Sequence, residues 1–456
     1  RKQKKSYKFN MQQYIDFFRT CRQQIEGSCA PLLNSFREEA FSVFQRTGFP
    51  AYPSEDYQHT DIAALLKEDL GFYLNHSGME INPHKVFHCN VPNLNAIKHF
   101  VINGHFHEED GDSHLPQGVF SGSLNVFARQ YPALFSKYYN RQAGQENGNR
   151  TEDGPAAFNT LFVQDGYVLY VPENVVLEKA VQLTDISGGN IHSLVNRRIL
   201  VILEAGAQAK LLVCDHTLNE KSRLAATQIV EIYTGENARF DFYELEESSP
   251  NTVRLAGNYI RQTAFSQVIA NNITLSNGFT RNNYRIDLTG KRAETHLYGM
   301  AIADARQKID NFTRINHRVP ECRSSELFKY ILDEEATGVF CGKTVVLPDA
   351  QKTEAYQSNR NLLGSRNCRM YSRPQLEIYA DDVKCSHGMT TGRLDEAALF
   401  YMRSRGIPED EAVLLLKFAF TDDVIRSIRM EGLRDRLKLL IEKRFRGELI
   451  KCQGCI

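Results

Sequence analysis

Cys385 and His387 are the residues of this chain whose types and spacing point most directly to chemistry. They stand two apart at the end of Pro374-Gln375-Leu376-Glu377-Ile378-Tyr379-Ala380-Asp381-Asp382-Val383-Lys384-Cys385-Ser386-His387-Gly388. In extended backbone, residues two apart project to the same side. A thiolate and an imidazole on one side are soft-to-borderline ligands, suited to iron or zinc. Lys384 would favour the thiolate electrostatically. On spacing alone, a cysteine at a strand end and a surface histidine is the commoner reading.

Other groups compete for attention. Gly338-Val339-Phe340-Cys341-Gly342-Lys343-Thr344 looks like a phosphate-binding loop, but that loop needs four residues between its glycines and here there are three. The segment also runs into Val345-Val346-Leu347, which is strand-like, so no helix N-terminus would face an anion. With no other phosphate loop visible, ATP chemistry has to come from a partner. His105 and His107, with His114 beyond, look like a metal cluster, yet their Asn, Gly, Asp and Glu surroundings read as a solvated polar loop. Cys452 and Cys455 form a Cys-x-x-Cys pair without a second pair, and read as a flexible terminal tail.

These residues need a body to position them. The chain has 456 residues, far above the roughly 100–200 of one ordinary domain, so two or three domains are expected. Hydrophobic residues at 42% and charged residues at 24% exclude wholesale disorder. Lys+Arg and Asp+Glu are both 55, and a zero formal net charge argues against a general polyanion binder. Arg1-Lys2-Gln3-Lys4-Lys5 reads as a solvated tail, and no apolar run follows it as a secretory signal would require. Aliphatic stretches such as Ile199-Leu200-Val201-Ile202-Leu203 fall far below the roughly 18–20 residues that span a bilayer. Most of the ten cysteines are isolated on apolar stretches, as Cys214 is, and read as small buried hydrophobes. A cytoplasmic, reducing compartment follows, with neither nucleic acid nor membrane as partner.

Along the chain, residues 11–25 and 31–44 carry apolar residues at helical spacing, and 48–53 break that pattern. From about 160 to 385, short runs rich in Val, Ile, Tyr, Phe and Thr alternate with polar residues. Turn signals punctuate them at 204–206, 234–237, 276–278, 289–291, 303–304, 333–334 and 348–349, with a double gap between Asp304 and Asp333. A sandwich or barrel is compatible with this, but a solenoid fits better, because each coil adds one layer to an open-ended stack. After about 390 the chain reads as helices over 395–402, 408–420 and 421–445, with Pro408 at a first turn and Thr421 as an N-cap. Val424, Ile425, Ile428, Leu433, Leu437, Leu440 and Ile441 form an apolar stripe, read as packing within that helical domain or as a docking surface.

At the Cys385–His387 stretch the sequence resembles the SufB/SufD family, in particular its SufD-type members, subunits of the SufBCD iron–sulfur cluster assembly complex. Further blocks are similar: Cys322-Arg323-Ser324-Ser325-Glu326-Leu327-Phe328-Lys329, Pro348-Asp349-Ala350-Gln351-Lys352-Thr353, Asn359-Arg360-Asn361-Leu362-Leu363 and Leu399-Phe400-Tyr401-Met402-Arg403-Ser404-Arg405-Gly406-Ile407. Near the N-terminus Gly48-Phe49-Pro50, Glu55-Asp56-Tyr57 and Thr60-Asp61 also look like the family. The departures are Tyr57, where Trp is common, and Met389, where a smaller residue is usual.

The resemblance implies a mainly β protein: an N-terminal helical domain with short strands over 1–160, a right-handed parallel β-helix over 161–388 and a C-terminal helical domain over 389–456. It implies a non-catalytic scaffold that pairs with SufB, docks the SufC ATPase on its C-terminal helices, and receives sulfur from a cysteine desulfurase system. A homodimer is the expectation where SufB is absent. The family's metal-site Cys and His carry over to Cys385 and His387. An iron–sulfur cluster needs about four ligands and this pair offers two, so a transient cluster shared with SufB is expected. A reduced flavin in the complex is a further cofactor reading, although this chain carries no dinucleotide fingerprint to hold it. Two readings from other classes remain. A polysaccharide-active β-helix enzyme would need facing carboxylates, whereas Asp381 and Asp382 are adjacent and would point to opposite faces. A stand-alone metal-binding protein would need more ligands than Cys385 and His387 supply.

Overall fold

The computed structural model describes residues 2–72, 74, 83, 95–108, 115–143, 145–146, 149–150, 153–189 and 191–448. His114, Cys452 and Cys455 lie outside them. From Tyr167 onward the chain shuttles between two ten-stranded sheets whose coil-to-coil pairings are parallel, making a β-solenoid of about 8 turns. Ser193–Leu203, Leu224–Thr234 and Thr252–Gln262 stack in one sheet, which we call the first. Gln208–Thr217, Arg239–Glu247 and Gln267–Ser276 stack in the second. The ladders are in register, so each inward side chain sits above its counterpart one coil earlier, as Ala270 sits on Phe242 and Leu297 on Ala270.

The corners explain why no sequence repeat accompanies this spacing. Successive corners place Gly206, Asn237, Phe265, Arg292, Ala305, Glu321, Glu334 and Lys352 in the left-handed region, with φ between 47° and 69°. Only one of them is glycine. The stacked backbone hydrogen bonds hold residues of any type there against the roughly 1–2 kcal/mol this conformation costs. The corner missing from the sequence reading between Asp304 and Asp333 lies at Arg318–Cys322, where Pro320 precedes the left-handed Glu321.

Inward residues such as Val201, Val230, Phe242, Ile286, Phe328 and Phe340 fill the lumen. The helices Lys2–Gly27, Arg37–Thr47 and Gly154–Phe162 cover the outer face of the first sheet, with Phe18, Phe44 and Phe158 packed towards Leu194, Ala225 and Leu255. Buried Arg37 ties them together by donating to the carbonyls of Thr160, Leu161 and Val163 at the end of Gly154–Phe162, where helix carbonyls lack internal donors. Strands covered on both faces, such as Ser193–Leu203, are buried throughout and read as apolar runs rather than as alternation.

The apolar stripe of the C-terminal helices is neither spent within its own domain nor left for docking. Val424, Ile425, Ile428, Leu433, Leu437, Leu440 and Ile441 are buried against Leu212, Tyr243, Ile273, Met300, Ile331 and Leu362 on the outer face of the second sheet. Polar contacts rim this cluster: Lys329 Nζ to Asp423 Oδ2 at 2.6 Å, Lys417 Nζ to Asp333 Oδ2 at 2.9 Å, and Arg444 to Asp304. Thr421 does not cap a helix. It lies inside Glu409–Arg426, where its hydroxyl donates to the Phe418 carbonyl at 2.7 Å, and the break falls before Glu431–Phe445. The expected solvated loop at His105 is also corrected: His105–His107 pairs antiparallel with Ala96–Ile102, and His105 is buried. Asn103 and Gly104 make the turn, both with positive φ.

The lumen also holds charge. Inward-facing Arg197 reaches Asp185 Oδ2 at 2.9 Å and Asp215 Oδ1 at 2.8 Å, and Arg254 reaches Asp215 Oδ2 at 2.7 Å and Glu244 Oε1 at 3.0 Å. Burial pushes the Asp215 carboxyl up, but Arg197 and Arg254 outweigh it and hold it below the usual range. Glu326, nearer the far end of the stack, forms no ion pair among the described residues. Burial pushes its carboxyl from 4.5 up to about 7, against smaller opposing effects of Thr313 and Gln357.

Two stability predictions follow from these charges. Arg254→Met leaves Asp215 and Glu244 short of a cation and should cost about 3–5 kcal/mol in denaturant unfolding; Arg306→Ala, at an exposed pair, should change it by under about 0.5 kcal/mol. Glu326 keeps its proton in the folded chain to about pH 7 but loses it above about 4.5 when unfolded, so its contribution is present below 4.5 and lost as pH rises to 7. Glu326→Gln should therefore be more stable than the parent at pH 8, by up to about 3 kcal/mol, with the gain shrinking towards pH 4.5 in urea titrations at both pH values.

Candidate functional site

Every interior strand of the solenoid has a hydrogen-bonded neighbour on both sides, but the last two do not. Among the described residues Arg369–Ile378 pairs only with Thr337–Val346, and Val383–Gly392 only with Thr353–Leu363. Their outer edges leave backbone donors and acceptors without strand partners. The two strands are half-buried or exposed along their length, with no residue buried.

The signature stretch bends here. It is not one strand, although its alternation suggests one: the first sheet's strand ends at Ile378, residues 379–382 turn the corner, and Val383 opens the last strand of the second sheet. The corner is pinned by Tyr379 N–H donating to the Val346 carbonyl at 2.9 Å and Asp382 N–H donating to Gln351 Oε1 at 2.8 Å. Asp381 and Asp382 therefore belong to a turn, not to the two faces of a strand.

Ladder register places Cys385 beside Ala355, His387 beside Gln357 and Met389 beside Asn359. Ala355, Gln357 and Asn359 are buried, so Cys385, His387 and Met389 continue the inward phase at the mouth of the lumen. The structure thus brings Cys385 and His387 to the same side, as their spacing implies. Cys385 is half-buried and packs towards Val346, Ala350 and Ala380, while His387 is exposed. Burial raises the Cys385 thiol above its ordinary value, opposed by the Ala355 backbone. The expected help from Lys384 is absent: it falls in the outward phase and its ammonium lies 3.8 Å from Glu354 Oε1. No group of three or more His, Cys, Asp or Glu side chains converges on a metal position among the described residues.

A cavity of about 400 Å³ opens at the same end, lined by His59, Phe340, Cys341, Ser372, Arg373 and Met389 among others. Arg373 Nη2 donates to the Glu55 carbonyl at 2.6 Å and to Cys341 Sγ at 3.4 Å. Cys341 belongs to the segment that looks like a phosphate loop. That segment is the strand Thr337–Val346, and its glycines are set by packing in the lumen. A Cβ on Gly338 would lie 2.6 Å from Met370 Sδ, and one on Gly342 would lie 2.3 Å from Gln357 Nε2.

Gln357 and Glu326 are residues of this end that spacing rules passed over. Gln357 Nε2 donates to Glu326 Oε2 at 2.8 Å inside the lumen. Their signal was present: in the strand Arg323–Leu332 an acidic residue shares the phase of Phe328 and Tyr330, which are fully buried.

With fold and site described, comparison with known proteins adds the family. Residues 185–420 match the model of the SUF system FeS cluster assembly, SufBD core domain, and residues 8–183 match that of the SufBD protein N-terminal region. An iron–sulfur cluster assembly SufBD family protein of Synechocystis is 27% identical over 432 residues, covering 92% of this chain and 93% of that protein. The iron–sulfur cluster assembly protein SufD of Escherichia coli is 30% identical over 245 residues, 54% of this chain and 58% of that protein. SufD of Bacillus subtilis is 25% identical over 337 residues, 72% and 74%. A solenoid that stays open at the end bearing Cys385 and His387, matched to these two models over most of its length, belongs to the SufBD family of iron–sulfur cluster assembly proteins, and is of the SufD type.

Proposed function

We propose that this chain is a non-catalytic scaffold subunit that continues its sheets across the open end into a SufB subunit and presents its C-terminal helices to the SufC ATPase. The observation that carries the reading is the unpaired pair of terminal strands with Cys385 and His387 in the inward phase between them. A partner of similar fold supplies the missing strand neighbours by β-augmentation. Ile378, Tyr379 and Met389 are exposed at this rim and would be covered by such a partner. Cys385 and His387 then supply two ligands, or sulfur-handling groups, to a transient iron–sulfur cluster completed by SufB. The cluster is cargo, built from sulfur delivered by a cysteine desulfurase system and passed on to apoproteins.

The ATPase reading rests on a different surface. Glu396–Ser404 is a helix with no buried residue, and its Phe400 and Tyr401 are 72% and 57% exposed. Apolar side chains that exposed suit a protein contact. The following helices are bonded to the second sheet, so a load on the exposed helix reaches the strands beside the site. A cytoplasmic setting suits the seven described cysteines, all of them free thiols.

Reconstituted complex carrying Cys385→Ser and His387→Ala should assemble clusters at least about tenfold more slowly, scored by absorbance and transfer to an apoprotein; normal rates in both variants would end the ligand reading. Tyr379→Asp with Met389→Asp should weaken SufB binding by about tenfold or more, and Phe400→Asp should do the same for SufC while leaving SufB binding intact. Calorimetry on each pair would separate the two surfaces.

A further inference from the structure

Glu326, Gln357 and His387 occupy one inward column on successive strands of the second sheet, in direct register. Adjacent strands lie about 4.8 Å apart, so each side chain is the next one's neighbour along the lumen. Below Glu326 the same column is Leu297 and then Ala270, both buried and apolar. The polar run therefore starts at Glu326 and leads only towards the mouth. Glu326 and Gln357 are 3% and 4% exposed. A carboxyl buried to that degree without an ion pair is costly, and an apolar residue would serve the core better.

The Gln357 amide is held at one end. Its Nε2 donates to Glu326 Oε2 at 2.8 Å, and the amide fills the space that glycine leaves at position 342. Its Oε1 is buried and has no hydrogen-bond partner among the described residues. An amide fixed through its nitrogen offers its oxygen as an acceptor, and the next polar side chain in the column is the imidazole of His387.

We propose that Glu326 is a positioning residue for His387: by anchoring the Gln357 amide it aims Gln357 Oε1 to accept one imidazole N–H, fixing the tautomer and leaving the other ring nitrogen free for a metal. This deepens the proposed ligand role of His387 and rests on it. A histidine ligand whose second nitrogen donates to a fixed acceptor is held in tautomer and ring orientation. Glu326 touches neither metal nor sulfur and acts only through the amide.

The test reads the tautomer directly, in the full chain, by nitrogen-15 chemical shifts of labelled histidine at pH 8, with His387→Ala assigning the signal. The parent should show one predominant neutral tautomer. Gln357→Met and Glu326→Leu should each change the tautomer ratio at least threefold, whereas Glu326→Gln, which still offers Gln357 an acceptor, should keep the parent ratio. The inference is overturned if Gln357→Met leaves the ratio as it is, or if Glu326→Gln shifts it as far as Glu326→Leu does. These outcomes are independent of cluster assembly: normal assembly by His387→Ala removes the ligand role, while an unchanged tautomer in Gln357→Met removes only the positioning.

Discussion

A parallel strand ladder satisfies each backbone by adding the next coil, so its unmet demand is concentrated at its two ends. This chain treats the ends differently. At the start, Phe120–Ser123 and His105–His107 turn antiparallel against the first coil and stop the ladder, and the helices Leu124–Gln130 and Pro132–Tyr138 pack beside them. At the finish no described residue continues or stops it. Arg369–Ile378 and Val383–Gly392 leave a flat double edge, the arrangement that single-chain proteins usually blunt or cover. An edge kept open has to be met by another molecule or tolerated as an aggregation hazard. On the proposed reading, the placement of Cys385 and His387 inside that edge would couple chemistry to assembly, because a partner covering the edge would complete their surroundings.

The interior supports the same division. Most of the lumen is apolar, and where it carries charge near the start, two arginines and three acids answer one another across the coils. Such a network is expensive to desolvate and holds only when every member is paired. Glu326 departs from that rule: among the described residues it forms no ion pair, and it accepts a hydrogen bond from the neutral amide of Gln357. A separate cavity, with Cys341 held against Arg373, opens at the same end.

Much of this was legible in the sequence. The change of texture near residue 160, the recurring turns and the absence of helical periodicity carried the solenoid, and the shared side of Cys385 and His387 followed from spacing alone. What was hidden was hidden for physical reasons. The Arg318–Cys322 corner was missed because stacked backbone bonds, not glycine, hold its left-handed residue. The corner inside the signature was missed because Leu376 to Asp381 alternate cleanly right into the turn. The apolar stripe of the last helices named a buried face but not its partner, which is assembled from strands far apart in sequence. Glu326 and Gln357 carry no motif; their meaning comes from register, which exists only once the coils are stacked.

The last helix has one further consequence. Glu431–Phe445 has 15 residues and so runs about 22 Å. The apolar cluster it helps build takes side chains from seven strands of one sheet, from Ala180 to Leu362, a distance of roughly 29 Å at about 4.8 Å per strand. The last helix is shorter than that stack, and Glu409–Arg426 covers the later coils through Lys329 and Asp423 and through Lys417 and Asp333, so the two helices share the face between them. A coil gained or lost between those strands would leave apolar surface bare or a helix overhanging. Single residues on the strands can drift, but the number of coils under the two helices is constrained, and with it the height of the thiol and imidazole at the open end.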